Sequence, residues 1–233
     1  MRRHGIGFAM LGAFLGFMIQ ANLAFAQPPL GTPPTLPKLT AEWWQWALSI
    51  PTSVNPLQDM TGGDCMVGQR DVVWFLAGTF LSSMPASRNC SVPGNATLFF
   101  SIANFVNINT PNICGQDGSF SVAELRMVAK MNIDGLNIMS VTVDGKDVKS
   151  QVQRIRSEVF EVALPPDNLF TAPCKPLPVP AGIYSPAVDD GYYLLLQPLA
   201  PGSIHTIHFT VVAGGAVVQD ITYNVTVVPV ILQ

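Results

Sequence analysis

Charge is scarce in this chain. Its 233 residues carry 12 Lys and Arg against 15 Asp and Glu, and the cations nowhere form a run. Binding to a phosphate backbone needs clustered cations, so nucleic acid is excluded as a partner. Histidine is scarcer still. His4 sits at the extreme amino terminus, which leaves His205 and His208 as the imidazoles available for chemistry. The chain has no H-E-x-x-H, no G-x-S-x-G and no glycine loop ahead of a helix, so the motifs of zinc proteases, α/β-hydrolases and nucleotide-binding enzymes are missing. Its four cysteines include no C-x-x-C pair, and zinc spacing is absent. No cofactor and no metal are expected. Beyond residue 26 no apolar run is long enough for a spanning helix, and no internal repeat recurs.

What is present begins with an export signal. Met1-Arg2-Arg3-His4 precedes an apolar stretch to about Ile19, and Ala24-Phe25-Ala26 supplies the small residues of a cleavage site. A basic start, apolar middle and small end are the parts of a secretory signal peptide, assigned to residues 1–26. Its removal takes away two arginines and no acid, moving the net charge from −3 to about −5. A proline-rich leader over 27–38 follows, and residues 39–233 read as one domain, long enough for one good core. In an exported chain the bland use of Cys65, Cys90, Cys114 and Cys174 is two disulfides. Cys65–Cys90 with Cys114–Cys174 is favoured. A simple antiparallel hairpin of 72–79 with 97–106 would instead bring Cys65 toward Cys114.

The domain is rich in turn formers, with 20 prolines and 19 glycines. Thr40 reads as the N-cap of a short helix in which Trp43, Trp46, Ala47 and Ile50 share a face. That stripe predicts a lid on the core, with Trp44 off it as a candidate surface aromatic. Ser121-Val122-Ala123-Glu124 is a capping box, and Gly135 is the natural left-handed stop of the helix it starts. Val72–Ala77 and Thr97–Val106 both read as continuous apolar strands, buried on both faces. Period-two alternation marks Met139/Val141/Val143, Phe160/Val162/Leu164, Ile207/Phe209/Val211 and Ile221/Tyr223/Val225/Val227, with an Asp144-Gly145 hairpin turn after the first. A strand is also expected over 191–197. The predicted fold is an all-β sandwich, jelly-roll or Ig-like, with two short helices.

Chemistry is harder to place. Asp59-Met60-Thr61-Gly62 lacks the second copy that an aspartic-protease site needs, and a plain turn is expected there rather than calcium. His205 and His208 are three apart, so a regular strand aims them at opposite faces. Asp189 and Asp190 point apart in an extended chain, do not form a glycosidase pair, and read as a solvated turn. Arg154, Arg156, Glu158 and Glu161 read as cross-strand ion pairs. The candidate ligand surface is Trp44, Asp189, Asp190, Tyr192 and His208.

The strings Trp43-Trp44-Gln45-Trp46, Val73–Thr79, Ser185–Tyr193 and His205–Phe209 resemble those of an uncharacterised group of secreted bacterial proteins. The resemblance implies bacterial export and carries no catalytic residue with it. The expected function is a secreted or periplasmic binding protein, with a carbohydrate or cell-surface polymer as the partner considered. The alternatives are a hydrolase or metal-dependent enzyme using a histidine with loop carboxylates such as Asp189, and an assembly subunit with an apolar interface.

Overall fold

The computed structural model describes residues 34–69 and 72–229; the expected signal peptide and most of the leader lie outside them. In chain order the elements are α1 (Leu36–Ser49), β1 (Val73–Leu76), β2 (Ala86–Pro93), β3 (Thr97–Ile108), α2 (Val122–Asp134), β4 (Leu136–Val143), β5 (Lys146–Asp147), β6 (Gln153–Arg156), β7 (Phe160–Leu164), β8 (Gly182–Leu196), β9 (Ile204–Ala213) and β10 (Ala216–Val228). They build the expected β-sandwich with two helices. The first sheet runs β1-β3-β8-β6, with β7 pairing the start of β8, and the second runs β2-β10-β9-β4-β5.

Three layers result. α1 covers one face of the first sheet, where Trp43 and Leu48 pack with Phe99, Val162 and Tyr193. The second sheet covers part of the other face, where Leu98, Phe100 and Ile102 meet Phe209 and Tyr223. α2 packs on β3 and β8 beside the second sheet, with Asn107 donating to its Leu125 carbonyl at 3.2 Å.

Several local expectations are corrected. The first helix is capped at Thr35, not Thr40, with a proline in its first turn, where a missing amide is harmless; the leader therefore stops short of residue 38. Thr40 lies inside the helix, buried, and donates its hydroxyl to the Pro37 carbonyl at 3.1 Å. β1 is half-buried on one face and buried on the other, not buried on both. Gly135 follows α2 with φ −87°, an ordinary right-handed conformation and no left-handed stop. In β4 a register shift between Ile138 and Ser140 breaks the alternation, so Ile138 and Val141 are buried and Met139 is exposed. β8 begins at Gly182, well before 191. The capping box forms as expected, with Ser121 and Glu124 exchanging hydrogen bonds. Asp144 and Gly145 both have positive φ, 51° and 74°, as a type I′ turn requires.

β1 and β3 pair in parallel, not as an antiparallel hairpin. The chain crosses to the second sheet as β2 between them, pairing with β10. That detour removes the geometry that would have brought Cys65 to Cys114. The disulfides are Cys65–Cys90 and Cys114–Cys174, with Cα separations of 5.8 and 4.6 Å.

Candidate functional site

β1 is far shorter than its neighbour. Its ladder with β3 runs only from Val73↔Thr97 to Leu76↔Phe100. Beyond Leu76, whose carbonyl accepts from the Trp43 indole at 3.0 Å, the chain leaves the first sheet. Ala77 turns to Tyr223 of β10, its amide donating to the phenol oxygen at 2.9 Å, and Thr79 is held by Gln219 through its amide and hydroxyl. From Ser101 to Ile108 β3 thus has β8 on one side and, among the described residues, no strand on the other.

A cavity of about 350 Å³ occupies that side, and Ser101, Ala103, Asn104, Phe105 and Val106 all line it. Successive strand side chains point to opposite faces, so a cavity touching so many neighbours lies at the strand's edge. A second chamber of about 280 Å³ continues from Phe105 to Ile108. The two share Phe105, Val106, Phe170 and Cys114, and the Cys114–Cys174 bridge joins two loops above them. Neither chamber is lined by a charged side chain. Thr79, Ser101, Asn104, Asn132 and Gln219 supply polarity in the larger one.

The rim is held by a buried cation. Arg88, 1% exposed, donates to the carbonyls of Asp59 at 2.7 Å, Ala77 at 2.5 Å and Gly78 at 2.9 Å, and its guanidinium lies 5.3 Å from the Tyr223 ring centre. A planar fork with five donors reaches carbonyls spread over several residues, where a lysine would present three donors on one compact ammonium. Among the described residues no carboxylate is bonded to it, and the charge is dispersed over these three carbonyls and the Tyr223 oxygen, to which it donates at 2.5 Å.

Behind the wall sits an unusual carboxyl. Asp189 is 1% exposed, accepting from the Trp44 indole at 2.7 Å and the Tyr193 hydroxyl at 2.9 Å. Asn104 donates to the Tyr193 oxygen at 2.8 Å, and Trp44 and Asn104 line the cavity. Burial pushes the Asp189 pKa well above the ordinary carboxylate range, outweighing both hydrogen bonds, and burial also raises that of Tyr193. Gly191 makes the arrangement possible: a Cβ there would lie 2.5 Å from the Asn104 Cβ and 2.9 Å from the Tyr193 ring.

The residues singled out from the sequence do not form one surface. Trp44 is buried, its indole committed to Asp189, because α1 is covered on more than one stripe. Asp189 and Asp190 lie mid-strand, both 1% exposed, rather than in a solvated turn. They do point apart. Asp190 takes a bidentate Arg154 at 2.8 and 2.9 Å, whose third nitrogen reaches Asp134 of α2 at 2.8 Å. The Arg154 guanidinium lies 5.8 Å from the Tyr192 ring centre. The expected pairing of Arg154 and Arg156 with Glu158 and Glu161 is therefore replaced: both arginines turn to Asp190, Arg156 at 3.7 Å.

The histidines divide as well. His208 pairs with Asp220 at 2.9 Å on the outer face of the second sheet. His205 joins a Ser–His–Asp line: its Nε2 is 2.7 Å from the Ser203 Oγ and its Nδ1 is 2.7 Å from Asp144. Asp189 belongs to neither. The Ser203 hydroxyl also meets the Ala200 carbonyl, the Ser203 amide donates to Ala200, and the Gly202 amide donates to Val227, so the neighbouring amides are committed and offer no oxyanion hole. This line clasps the β9 start to the turn after β4. Among the described residues no three His, Cys, Asp or Glu side chains gather as a metal site. Asp59 organises its loop as the turn expected, accepting from the Thr61, Gly62 and Asp64 amides at 2.8–3.0 Å.

Sequence reasoning missed Asn104, Tyr193, Arg88, Gln219 and the Ser203–His205–Asp144 line. Only the last had a signal to follow: Ser203 and His205 are two apart at the start of an alternating run, and Asp144 belongs to a legible hairpin turn. No protein family, no curated protein and no solved structure matches the chain.

Proposed function

We propose that the protein is an exported binding protein that takes an uncharged, mainly apolar ligand along the open edge of β3. The observation that carries this reading is the pair of joined chambers, about 350 and 280 Å³, without a charged lining residue. Apolar concavities with a few placed polar groups are the usual form of ligand sites. The Arg88 and Gln219 clamps fix the rim in advance, which lowers the ordering cost of binding. Export rests on the signal peptide read in the sequence and on two disulfides, which persist in oxidising compartments. Among the described residues no helix is long and apolar enough to cross a membrane. A carbohydrate platform on Trp44 has lost its support, since that ring is covered. The test is a titration with N-phenyl-1-naphthylamine, an uncharged fluorophore that brightens in apolar surroundings. Saturable binding of one molecule per chain is expected; a linear, non-saturating response would sink the reading.

The Ser203–His205–Asp144 line favours a second reading, hydrolysis with Ser203 as nucleophile. Covalent labelling of Ser203 by a fluorophosphonate, abolished in His205→Ala, would carry it. Unlabelled serine leaves the clasp as its role.

A further inference from the structure

We infer that the ligand of this groove is an extended, uncharged peptide segment of another protein, added to the first sheet as a strand beside β3. The inference rests on the binding reading above and names its ligand class.

The chamber walls alone would suit any compact apolar molecule. The floor is more selective, because it is a strand edge. Asn109, at the end of β3, donates its amide to the Pro186 carbonyl on the β8 side at 2.9 Å. Counting back in twos, through the strand stretch beyond the register shift between Ser101 and Ala103, turns the amides of Asn107, Phe105 and Ala103 toward β8. Those of Asn104, Val106 and Ile108 face the groove, alternating with carbonyls at the spacing of a β-ladder. β1 fills this lane only to Phe100, so an incoming strand would continue the lane where β1 leaves it.

An uncovered edge is a liability that folds hide with charge, proline, a bulge or a covering element. Among the described residues no strand pairs with this edge beyond Phe100, and the register shift between Ser101 and Ala103 lies at its start. No charged side chain lines either chamber, and the loops joined by Cys114–Cys174 leave the space beneath them open. Backbone groups facing an apolar slot are best satisfied by another backbone, with side-chain pockets on either side giving selectivity. Phe105, Phe170, Ile133 and Leu136 offer apolar pockets, and the absence of ionic lining selects against a charged segment. The chain's own leader is a poor match. Over residues 27–34, Pro28, Pro29, Pro33 and Pro34 remove two amides from each alternating set, and proline cannot donate to a ladder.

The experiment uses the exported full chain, N-phenyl-1-naphthylamine as reporter, and capped uncharged nonapeptides selected on the protein from a random pool. Each selected peptide is remade twice, with N-methyl groups on one alternating set of residues or on the other. Methylation of the set facing β3 should weaken displacement of the fluorophore by about tenfold or more, as its amides are lost, while the other set leaves it essentially unchanged. Hydrogen exchange at Asn104 and Val106 should slow when the unmodified peptide is bound. Equal effects of both methylation patterns, or a fluorophore that binds but that no peptide displaces, overturn the peptide inference and leave the apolar-site reading standing. Failure of the fluorophore and of every peptide defeats both. Displacement by a Gln27–Pro34 peptide as strong as that by the selected ones assigns the groove to the leader and also overturns the inference, as does fluorophore release on self-association of the protein.

Discussion

Asp189 has two good donors on its carboxyl, the Trp44 indole and the Tyr193 hydroxyl, and burial still raises its pKa well above that of an exposed aspartate. Desolvation outweighs them because both partners are neutral, and the neighbouring Asp190 acts in the same direction as burial. The sign of the linkage follows. The folded pKa lies above the unfolded one, so the contribution to stability is fully present below the ordinary aspartate value and declines as pH rises toward the folded pKa. The decline is up to about 1.4 kcal/mol per pH unit. Asp134, Asp144 and Asp59 act in the opposite direction: hydrogen bonds depress their pKa values, and what they add is lost in acid. Asp189→Asn keeps the shape and cannot ionise. Urea midpoints measured from pH 4 to 8 should fall less steeply in the variant than in the wild type, and profiles that stay parallel would show Asp189 charged in the fold. None of this was legible in the sequence, where an Asp-Asp-Gly string reads as a solvated turn. Its burial depends on a helix 145 residues away in the chain.

Strands β3 and β8 form the spine of the first sheet, and their fit is set at one point by the absence of a side chain. Gly191 pairs with Asn104, and a Cβ there would meet both the Asn104 Cβ and its Cα, the latter at 2.8 Å. A backbone atom cannot step aside as a side-chain tip can. Gly191→Ala should therefore cost about 1–3 kcal/mol through overpacking, read as a lower urea midpoint, and should disturb fluorophore binding, since Asn104 lines the cavity. An unchanged midpoint would mean that the spine is looser than its contacts indicate. At this scale the sequence was largely readable. The alternating runs of β7, β9 and β10, the Asp144-Gly145 turn and the Ser121 capping box are local signals, and each forms where its residues direct. The failures, Thr35 in place of Thr40 as cap, the β4 slip at Met139 and the long early part of β8, occur where tertiary packing overrides local preference. β2 carries little local signal, since Ala86–Pro93 has exposed polar residues on alternate positions and pairs with a strand more than 120 residues downstream.

The groove belongs to the whole molecule, because it exists through a mismatch between elements that no window of sequence contains. β1 stops at Leu76 while β3 continues to Ile108, and the two lie in parallel only because β2 is spent in the other sheet. The disulfides act at this scale too, and differently. Cys65–Cys90 spans 25 residues and ties the Asp59 loop to β2; Cys114–Cys174 spans 60 and joins the two loops over the chambers. Loop-closure entropy gives roughly 3.5 kcal/mol for the first and a little over 4 kcal/mol for the second, in a model that assigns the effect to the unfolded chain. Those similar stability terms conceal unlike functional ones. Cys114 and Cys174 both line the larger chamber, while Cys65 and Cys90 line neither chamber. Replacing Cys114 and Cys174 together by alanine should lower the thermal midpoint and, at temperatures where the sheets remain folded, weaken N-phenyl-1-naphthylamine binding as the covering loops separate. Replacing Cys65 and Cys90 together should lower the midpoint by a comparable amount and leave binding intact. The comparison is internal, so loss of stability alone cannot mimic the result: fluorophore binding lost equally in both double variants, or retained in both, would detach the Cys114–Cys174 bridge from the groove it spans.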